Sequence, residues 1–424
     1  MVVNIGLIGI GTIGSGVVKI LKKNSKTIEK RSGVKLNLKK VCDLNHKAAK
    51  KLGIPSSKLT KKVDDVVNDP EIDIVIELIG GYEPARTFIL KAMKKGKHVV
   101  TANKAVIAKH GPELFKAAEK NKVNFCFEAA VGGCIPILKA LKESYVADNI
   151  NSIYGIVNGT TNYILTRMNE GMSYEEALKK AQQLGFAEAN PAFDVEGKDA
   201  AQKLVILSSL SFNSRINDDI FTDGITKVSK NDLKYAQELG YTIKLLAIAK
   251  KDDGKIELRV HPTMIPIKHE LASVSNELNA VYIAGESIGK AMLYGKGAGQ
   301  LPTATVVLGD AVDIGKRLSK IVVNPMSYFS NSKLKKMDEI RSRYYLRYSA
   351  ADKPGVLAKI SGILGKNKIS IAGVWQMEVD KKVVPVIMTT HEALERDLQK
   401  AIKEINRLDV IKDKTVVIRI ENIS

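Results

Sequence analysis

Val2-Val-Asn-Ile-Gly-Leu-Ile8-Gly9-Ile-Gly11-Thr-Ile-Gly14 opens the chain, and an apolar pattern through Val17, Val18, Ile20 and Leu21 follows it. The first run reads as a buried strand, and the later spacing has the period of a helix. The glycines between them serve separate purposes. Gly9 permits a tight turn, Gly11 lets the backbone approach a pyrophosphate, and Gly14 lets the helix pack on the strand. Phosphates would then meet free N–H groups at the helix start. Strand, glycine loop and helix in this order predict a dinucleotide-binding unit.

More βα units follow. Lys35 to Val41 reads as a second strand ending in Cys42-Asp43, with Asp43 placed to hydrogen-bond a ribose hydroxyl as in NAD sites. Lys39, Lys40 and Lys47 lie near enough in sequence to attract a 2′-phosphate, so NAD and NADP both stay open. Asp73-Ile-Val-Ile-Glu77, Lys97-His-Val-Val-Thr101 and Val123-Asn-Phe-Cys-Phe127 are further buried strands. The alternation predicts a doubly wound parallel sheet covered by helices, an α/β fold. Ligands bind such sheets beyond the carboxyl ends of the strands. Thr101-Ala-Asn103-Lys104 and Glu128-Ala-Ala-Val-Gly-Gly133 fall there. Taken alone, Lys104 reads equally well as a solvated helix-start lysine, and Glu128 as a buried acid satisfied by loop amides.

From about residue 135 to 305 the pattern changes to helices with strand-like runs, Ile243–Ala249 and Ile256–Val260 among them. Within it, Asp194-Val-Glu-Gly-Lys-Asp199-Ala-Ala-Gln-Lys203 runs into Leu204-Val-Ile-Leu207, the opening of a buried helix. Asp199 and Lys203, four apart, would share one helical face. The plain reading is an exposed ion pair contributing roughly 0.3–0.5 kcal/mol. After Gly295-Lys-Gly-Ala-Gly299 a helix at Thr305–Leu308 is expected to return to the first domain, and Ser330–Lys336 reads as a linker. From Tyr344 the order β-α-β-β-α-β, including a strand from Ile369 to Val379, predicts a ferredoxin-like sandwich.

Composition excludes several classes. The net charge is +20, but the lysines are spread along the whole length and aromatics total only 5%, so a nucleic-acid partner is not expected. No run of eighteen apolar residues exists, and Met1-Val-Val-Asn lacks the form of a signal peptide, so a cytoplasmic protein without a membrane span is expected. Cys42, Cys126 and Cys134 are too few and scattered for a disulfide framework or a zinc site.

Taken together, the motifs resemble homoserine dehydrogenase with a C-terminal ACT domain, over essentially the whole chain. The resemblance is carried by Gly9–Gly16, Thr101–Lys104, Glu128–Gly133, Asn158-Gly-Thr-Thr-Asn-Tyr-Ile-Leu165, Gly185–Lys203 and Asp352-Lys-Pro-Gly-Val-Leu357. It implies a Rossmann domain over 1–134 completed by a segment near 305–325, and an α+β substrate-binding and dimerisation domain over 135–304. A linker over 326–343 and an ACT domain over 344–424 would follow. It implies interconversion of homoserine and aspartate 4-semialdehyde with NAD or NADP, on the route to threonine, methionine and isoleucine.

The same resemblance assigns residues. Lys203 matches the proton donor, a task that suits a lysine whose pKa is lowered by burial or by a second cation such as Lys104. Lys104 matches a second catalytic lysine near nicotinamide and substrate. Glu188, Asp199 and Asp194 match homoserine-binding acids, with Asn158 and Thr160 lining the same cavity. Gly9, Gly11, Thr12, Ile13, Gly14, Asp43, Thr101, Asn103, Lys104, Gly185 and Gly299 would approach the cofactor. Glu128 with the backbone oxygens of Val131, Gly133 and Ile135 matches a sodium site, a set of hard oxygen donors. Where the family has a third glycine this chain has Cys134, which places a thiol beside that loop. An amino-acid effector at the ACT domain, threonine first, and a homodimer or homotetramer are also implied. Two other readings compete: an amino-acid sensor built on an inactive core, and a different Rossmann oxidoreductase of an amino-acid-like carbonyl.

Overall fold

The fold is that of a computed structural model, which describes residues 1–216, 219–318, 331–376 and 382–423. Strands and helices alternate at first: β1 (Val2–Ile8), α1 (Thr12–Ser32), β2 (Lys35–Cys42), α2 (His46–Lys51), β3 (Leu59–Thr60) and α3 (Asp64–Val67). The alternation continues through β4 (Ile74–Glu77), α4 (Ala85–Lys94), β5 (His98–Thr101), α5 (Lys104–Lys120) and β6 (Phe125–Cys126). Then come α6 (Ile137–Lys139), β7 (Ile150–Ile156), α7 (Gly159–Asn169), α8 (Tyr174–Gln183), α9 (Ala192–Val195) and α10 (Lys198–Ser211). Next are β8 (Phe221–Thr222), α11 (Lys230–Glu238), β9 (Tyr241–Asp252), β10 (Lys255–Pro266), β11 (Leu278–Gly285), β12 (Gly289–Lys296) and α12 (Gln300–Arg317). The chain ends with β13 (Lys333–Leu334), β14 (Arg341–Ala351), α13 (Val356–Lys366), β15 (Ile371–Gln376), β16 (Val383–Thr390), β17 (Ala393–Leu394), α14 (Glu395–Ile405) and β18 (Val416–Ile420).

These elements form two units. The first holds Met1–Gly159, Ala201–Asp219 and Leu278–Ser332; the second holds Thr160–Ala200, Ile220–Glu277 and Lys333–Ser424. In the first, six parallel strands run in the order β3-β2-β1-β4-β5-β6, the doubly wound arrangement. Its core packs β1 and α1 against α12 through Leu7, Val17, Val18, Ala304, Val307 and Ala311. Gly16 makes that helix pair possible, since a Cβ there would meet the Gln300 carbonyl at 2.6 Å. The same unit holds an antiparallel set, β12-β11-β7.

In the second unit the long β9–β10 hairpin is followed across the sheet by β18, β14, β16 and β15. β14, α13, β15, β16, α14 and β18 form the ferredoxin-like sandwich, with Tyr344, Leu346, Tyr348, Ile360, Leu364, Leu398 and Ile405 in its core. Its β18 edge pairs in parallel with β10, Thr263 opposite Arg419 and Met264 opposite Ile420. A buried charge network reinforces this seam. Arg259 on β10, with no exposed surface, donates to Glu257 at 2.7 Å and to Glu421, and Lys250 reaches Glu421 at 2.6 Å. Of the expected linker, residues 326–330 lie outside the described residues. Beyond them Lys333–Leu334 is a short strand on β10 rather than a free connector. Residues 319–325 of the returning segment and 377–379 of the strand expected from Ile369 to Val379 also lie outside the described residues.

Candidate active site

The glycine loop has the form that a pyrophosphate needs. A Cβ on Gly14 would sit 2.1 Å from the Gly9 carbonyl, whereas one on Gly11 would meet nothing within 4 Å. Gly14 is therefore fixed by the loop's own closure, and the space in front of Gly11 is available to a ligand. Gly11 precedes Thr12 and Ile13 at the start of α1, whose first-turn amides receive no side-chain cap. Asp43 faces this loop: its carboxylate accepts from Ile10 N and from Asn45 N, each at 2.6 Å. Gly299 immediately precedes Gln300, whose side chain accepts from Lys19 Nζ on α1 at 2.7 Å.

At the carboxyl end of the sheet, a residue that sequence reasoning passed over organises the Thr101–Lys104 segment. Glu77 ends β4 with no exposed surface. It accepts from Thr101 Oγ1 at 2.7 Å and from the backbone N–H groups of Ile79 and Gly80 at 2.7 and 3.4 Å. Burial pushes its pKa up, opposed by those hydrogen bonds. Asn103 then caps α5 by accepting from Val106 N at 3.2 Å, and its amide donates to the Gly81 carbonyl at 2.7 Å. Lys104, half-buried, is the first residue of α5. An acid closing a wholly apolar strand just before Leu-Ile-Gly-Gly was the available signal for Glu77.

Helix α10 carries both residues of the mid-chain motif. It starts directly after Gly197, whose φ of +83° admits a side chain poorly and breaks the chain from α9. Asp199 in its first turn is 5% exposed, and Lys203 is half-buried. An exposed ion pair is thus not what the structure holds. Lys203 donates from Nζ to the Val157 carbonyl at 2.6 Å, next to the buried Asn158 at the end of β7.

In the second unit, Thr160 in the first turn of α7 donates to the Phe186 carbonyl at 2.5 Å and lies 3.4 Å from Asp194 Oδ2. It thereby ties α7 to the segment carrying Gly185, Glu188 and Asp194. Gly185 has φ +74° and Glu188 is exposed. The Glu188 backbone carbonyl accepts from Gln182 at 3.1 Å.

Glu128 shows the plainer behaviour expected of a buried acid. Its two oxygens accept from Leu138 N at 2.8 Å and Lys139 N at 2.7 Å. Burial and the neighbouring Asp310 push its pKa up to about 7, and burial pushes Asp310 up to about 6. Lys139 binds Asp313 and lies 3.6 Å from Asp310. The loop between Val131 and Ile135 turns on Gly132 and Gly133, both left-handed, and a Cβ on Gly133 would meet Gly297 at 2.5 Å. The Ile135 carbonyl accepts from Ile137 N at 2.8 Å, and Cys134 N donates to the Lys296 carbonyl at 3.1 Å. Among the described residues no group of three or more His, Cys, Asp or Glu could hold a metal.

The chain matches three family models: homoserine dehydrogenase, NAD binding domain, over residues 9–128; homoserine dehydrogenase over 136–312; and the ACT domain over 344–410. It is 42% identical to a homoserine dehydrogenase of Neisseria gonorrhoeae, across 99% of both chains. A crystal structure of a homoserine dehydrogenase from Thiobacillus denitrificans superposes with a TM-score of 0.94 at 42% identity, covering 100% of this chain and 99% of that one. A hyperthermophilic archaeal homoserine dehydrogenase in complex with NADPH gives 0.64 at 28% identity, over 74% of this chain and 98% of that one. No helix among the described residues is long and apolar enough to cross a membrane. A six-stranded nucleotide-binding sheet, a buried acid and a lysine on one helix, and a C-terminal ACT sandwich thus accompany likeness over the full length, and the chain belongs to the homoserine dehydrogenases, oxidoreductases with an NAD-binding domain.

Proposed function

We propose that Lys203 moves the proton when this chain interconverts homoserine and aspartate 4-semialdehyde. The observation that carries the reading is the placement of Lys203 Nζ, 2.6 Å from the Val157 carbonyl beside buried Asn158, on the helix that also buries Asp199. The dinucleotide, held at Gly9–Gly14 with Asp43, Thr101, Asn103 and Gly299, and contacted by Gly185 in this reading, supplies or accepts the hydride when bound. In reduction the ammonium of Lys203 gives a proton to the developing alkoxide; in oxidation the free amine takes it back. Lys104 at the start of α5 supports the same oxygen. Asp199, Glu188 and Asp194 bind the substrate ammonium, with Asn158 and Thr160 as further polar contacts of the substrate.

A monovalent cation, sodium, at Glu128 and the carbonyls of Val131, Gly133 and Ile135 extends this reading. It is supported by a desolvated carboxylate that a cation would hold ionised. Threonine at the ACT domain, a cytoplasmic homodimer or homotetramer, and service in threonine, methionine and isoleucine biosynthesis complete it. NADPH is the first cofactor to try, because the archaeal relative is described in complex with it.

The test is NAD(P)H oxidation with aspartate semialdehyde by the native chain beside Lys203→Ala. A loss of about 10²–10⁴-fold in turnover is expected. Equal rates would remove the assignment, and an inactive native chain would favour a sensor built on a dehydrogenase core. Exchanging sodium for choline at constant ionic strength, and adding threonine to the full chain, test the two extensions. Unchanged rates would remove each.

A further inference from the structure

Tyr82 belongs to neither the glycine loop nor the mid-chain motif, yet it touches the helix of Lys203. It follows Leu78-Ile-Gly-Gly81, the segment that leaves the carboxyl end of β4. That segment packs on the glycine loop: a Cβ on Gly9 would lie 2.8 Å from the Leu78 carbonyl and 2.9 Å from Ile79. Besides the backbone bond from Leu78 N to the Ile8 carbonyl at 2.8 Å, three side chains hold it by hydrogen bonds. Glu77 accepts the N–H groups of Ile79 and Gly80, Asn103 donates to the Gly81 carbonyl, and Gln202 Nε2 donates to Tyr82 Oη at 3.1 Å. Lys109 lies 4.7 Å from the Tyr82 ring centroid, and His110 meets that ring edge-on at 6.3 Å.

The third fastening differs from the others. Gln202 stands one residue before Lys203 on α10, so this bond ties the segment to the helix of the proton donor. The other Gln202 amide atom, Oε1, is buried without a partner. With the amide turned over, the phenol donates to Oε1, and the same two side chains remain joined. Tyr82 is 38% exposed, so water can replace the bond in an unfolded or open state. Its net effect on folding is therefore small, while its effect on alignment need not be.

We propose that Tyr82 is a positioning residue which, through Gln202, holds the segment after β4 in register with α10, so that the hydride and proton partners meet the same substrate carbon and oxygen. The inference rests on Lys203 as proton donor. Its test uses the full chain with Tyr82→Phe, Gln202→Leu and the double variant. Each is assayed for homoserine oxidation with NAD and NADP and for thermal unfolding. Tyr82→Phe keeps the ring over Lys109 and removes only the hydroxyl. The expected result is a fall in kcat of about 5–20-fold in each single variant. KM for homoserine and cofactor should stay within about twofold and the melting temperature should not move. The double variant should be no worse than the worse single one, because both changes remove one link. A kcat within about twofold of wild type, a loss confined to KM, or losses that multiply in the double variant would each overturn the proposal. Lys203→Ala run alongside separates the two ideas. If that variant turns over normally, the proton donor is misassigned. If it is dead while Tyr82→Phe is normal, only the link through Gln202 fails.

Discussion

Replacing Glu77 by leucine and by glutamine should have opposite consequences. Leucine removes the acceptor for Thr101 Oγ1, buried with Glu77, and for the partly buried Ile79 N and, more weakly, Gly80 N. A buried donor left without an acceptor costs about 1–3 kcal/mol. One full loss and two partial losses then come to about 2–4 kcal/mol. Glutamine keeps the shape and one carbonyl oxygen for the backbone N–H groups, while its amide can donate to Thr101 Oγ1. It also removes a carboxylate whose pKa burial raises above the ordinary 4.5. Below pH 4.5 the acid is protonated both folded and unfolded, so its titration adds nothing to stability. As the pH rises past 4.5 the unfolded chain ionises first, the folded state binds more protons, and wild-type stability falls. The Glu77→Gln protein lacks that loss, so it should gain on wild type as the pH rises above 4.5 while the Glu77→Leu protein stays below both. Urea unfolding followed at several pH values, with activity measured on the same samples, gives the comparison. Equal midpoints for the two variants would refute the claim that Glu77 acts as an acceptor.

Gly11→Ala should fold with unchanged stability and raise KM for the cofactor at least tenfold, because its Cβ meets no protein atom within 4 Å. Gly14→Ala should lower the melting temperature, since its Cβ meets the Gly9 carbonyl at 2.1 Å; cofactor titration and thermal scans on both variants distinguish the two glycines. Glu421→Gln leaves the fully buried Arg259 with Glu257 as its remaining acid and should destabilise by about 3–5 kcal/mol, read by urea unfolding.

The sequence carries its local structure openly and its long-range pairing poorly. Gly9–Gly14 with its flanking periods was sufficient for the nucleotide-binding unit, and the four-residue spacing placed Asp199 and Lys203 on one helix. Spacing could not tell a solvated pair from a buried acid with a lysine bound to a carbonyl, because burial depends on what the rest of the chain brings. Glu77 read as part of a strand, since nothing local states that its oxygens collect donors from three later residues. The reading of consecutive domains likewise gives no hint that β18 pairs with β10. Periodicity records which face of a strand is buried but not which distant edge it meets. Ser330–Lys336 has a linker's composition, and its described part still adds a strand to β10.

That β10–β18 pairing has a consequence for synthesis. Met264 finds its partner Ile420 only after roughly 150 further residues have been made. At about 5–20 residues per second the ribosome needs roughly 10–30 s to supply them. During that interval β10 is open at Thr263 and Met264, and Arg259 stands without the carboxylate of Glu421. The nascent chain is therefore most exposed to wrong pairing just before its C-terminal sandwich is complete, and a gene cut near Ser330 would make that transient state permanent.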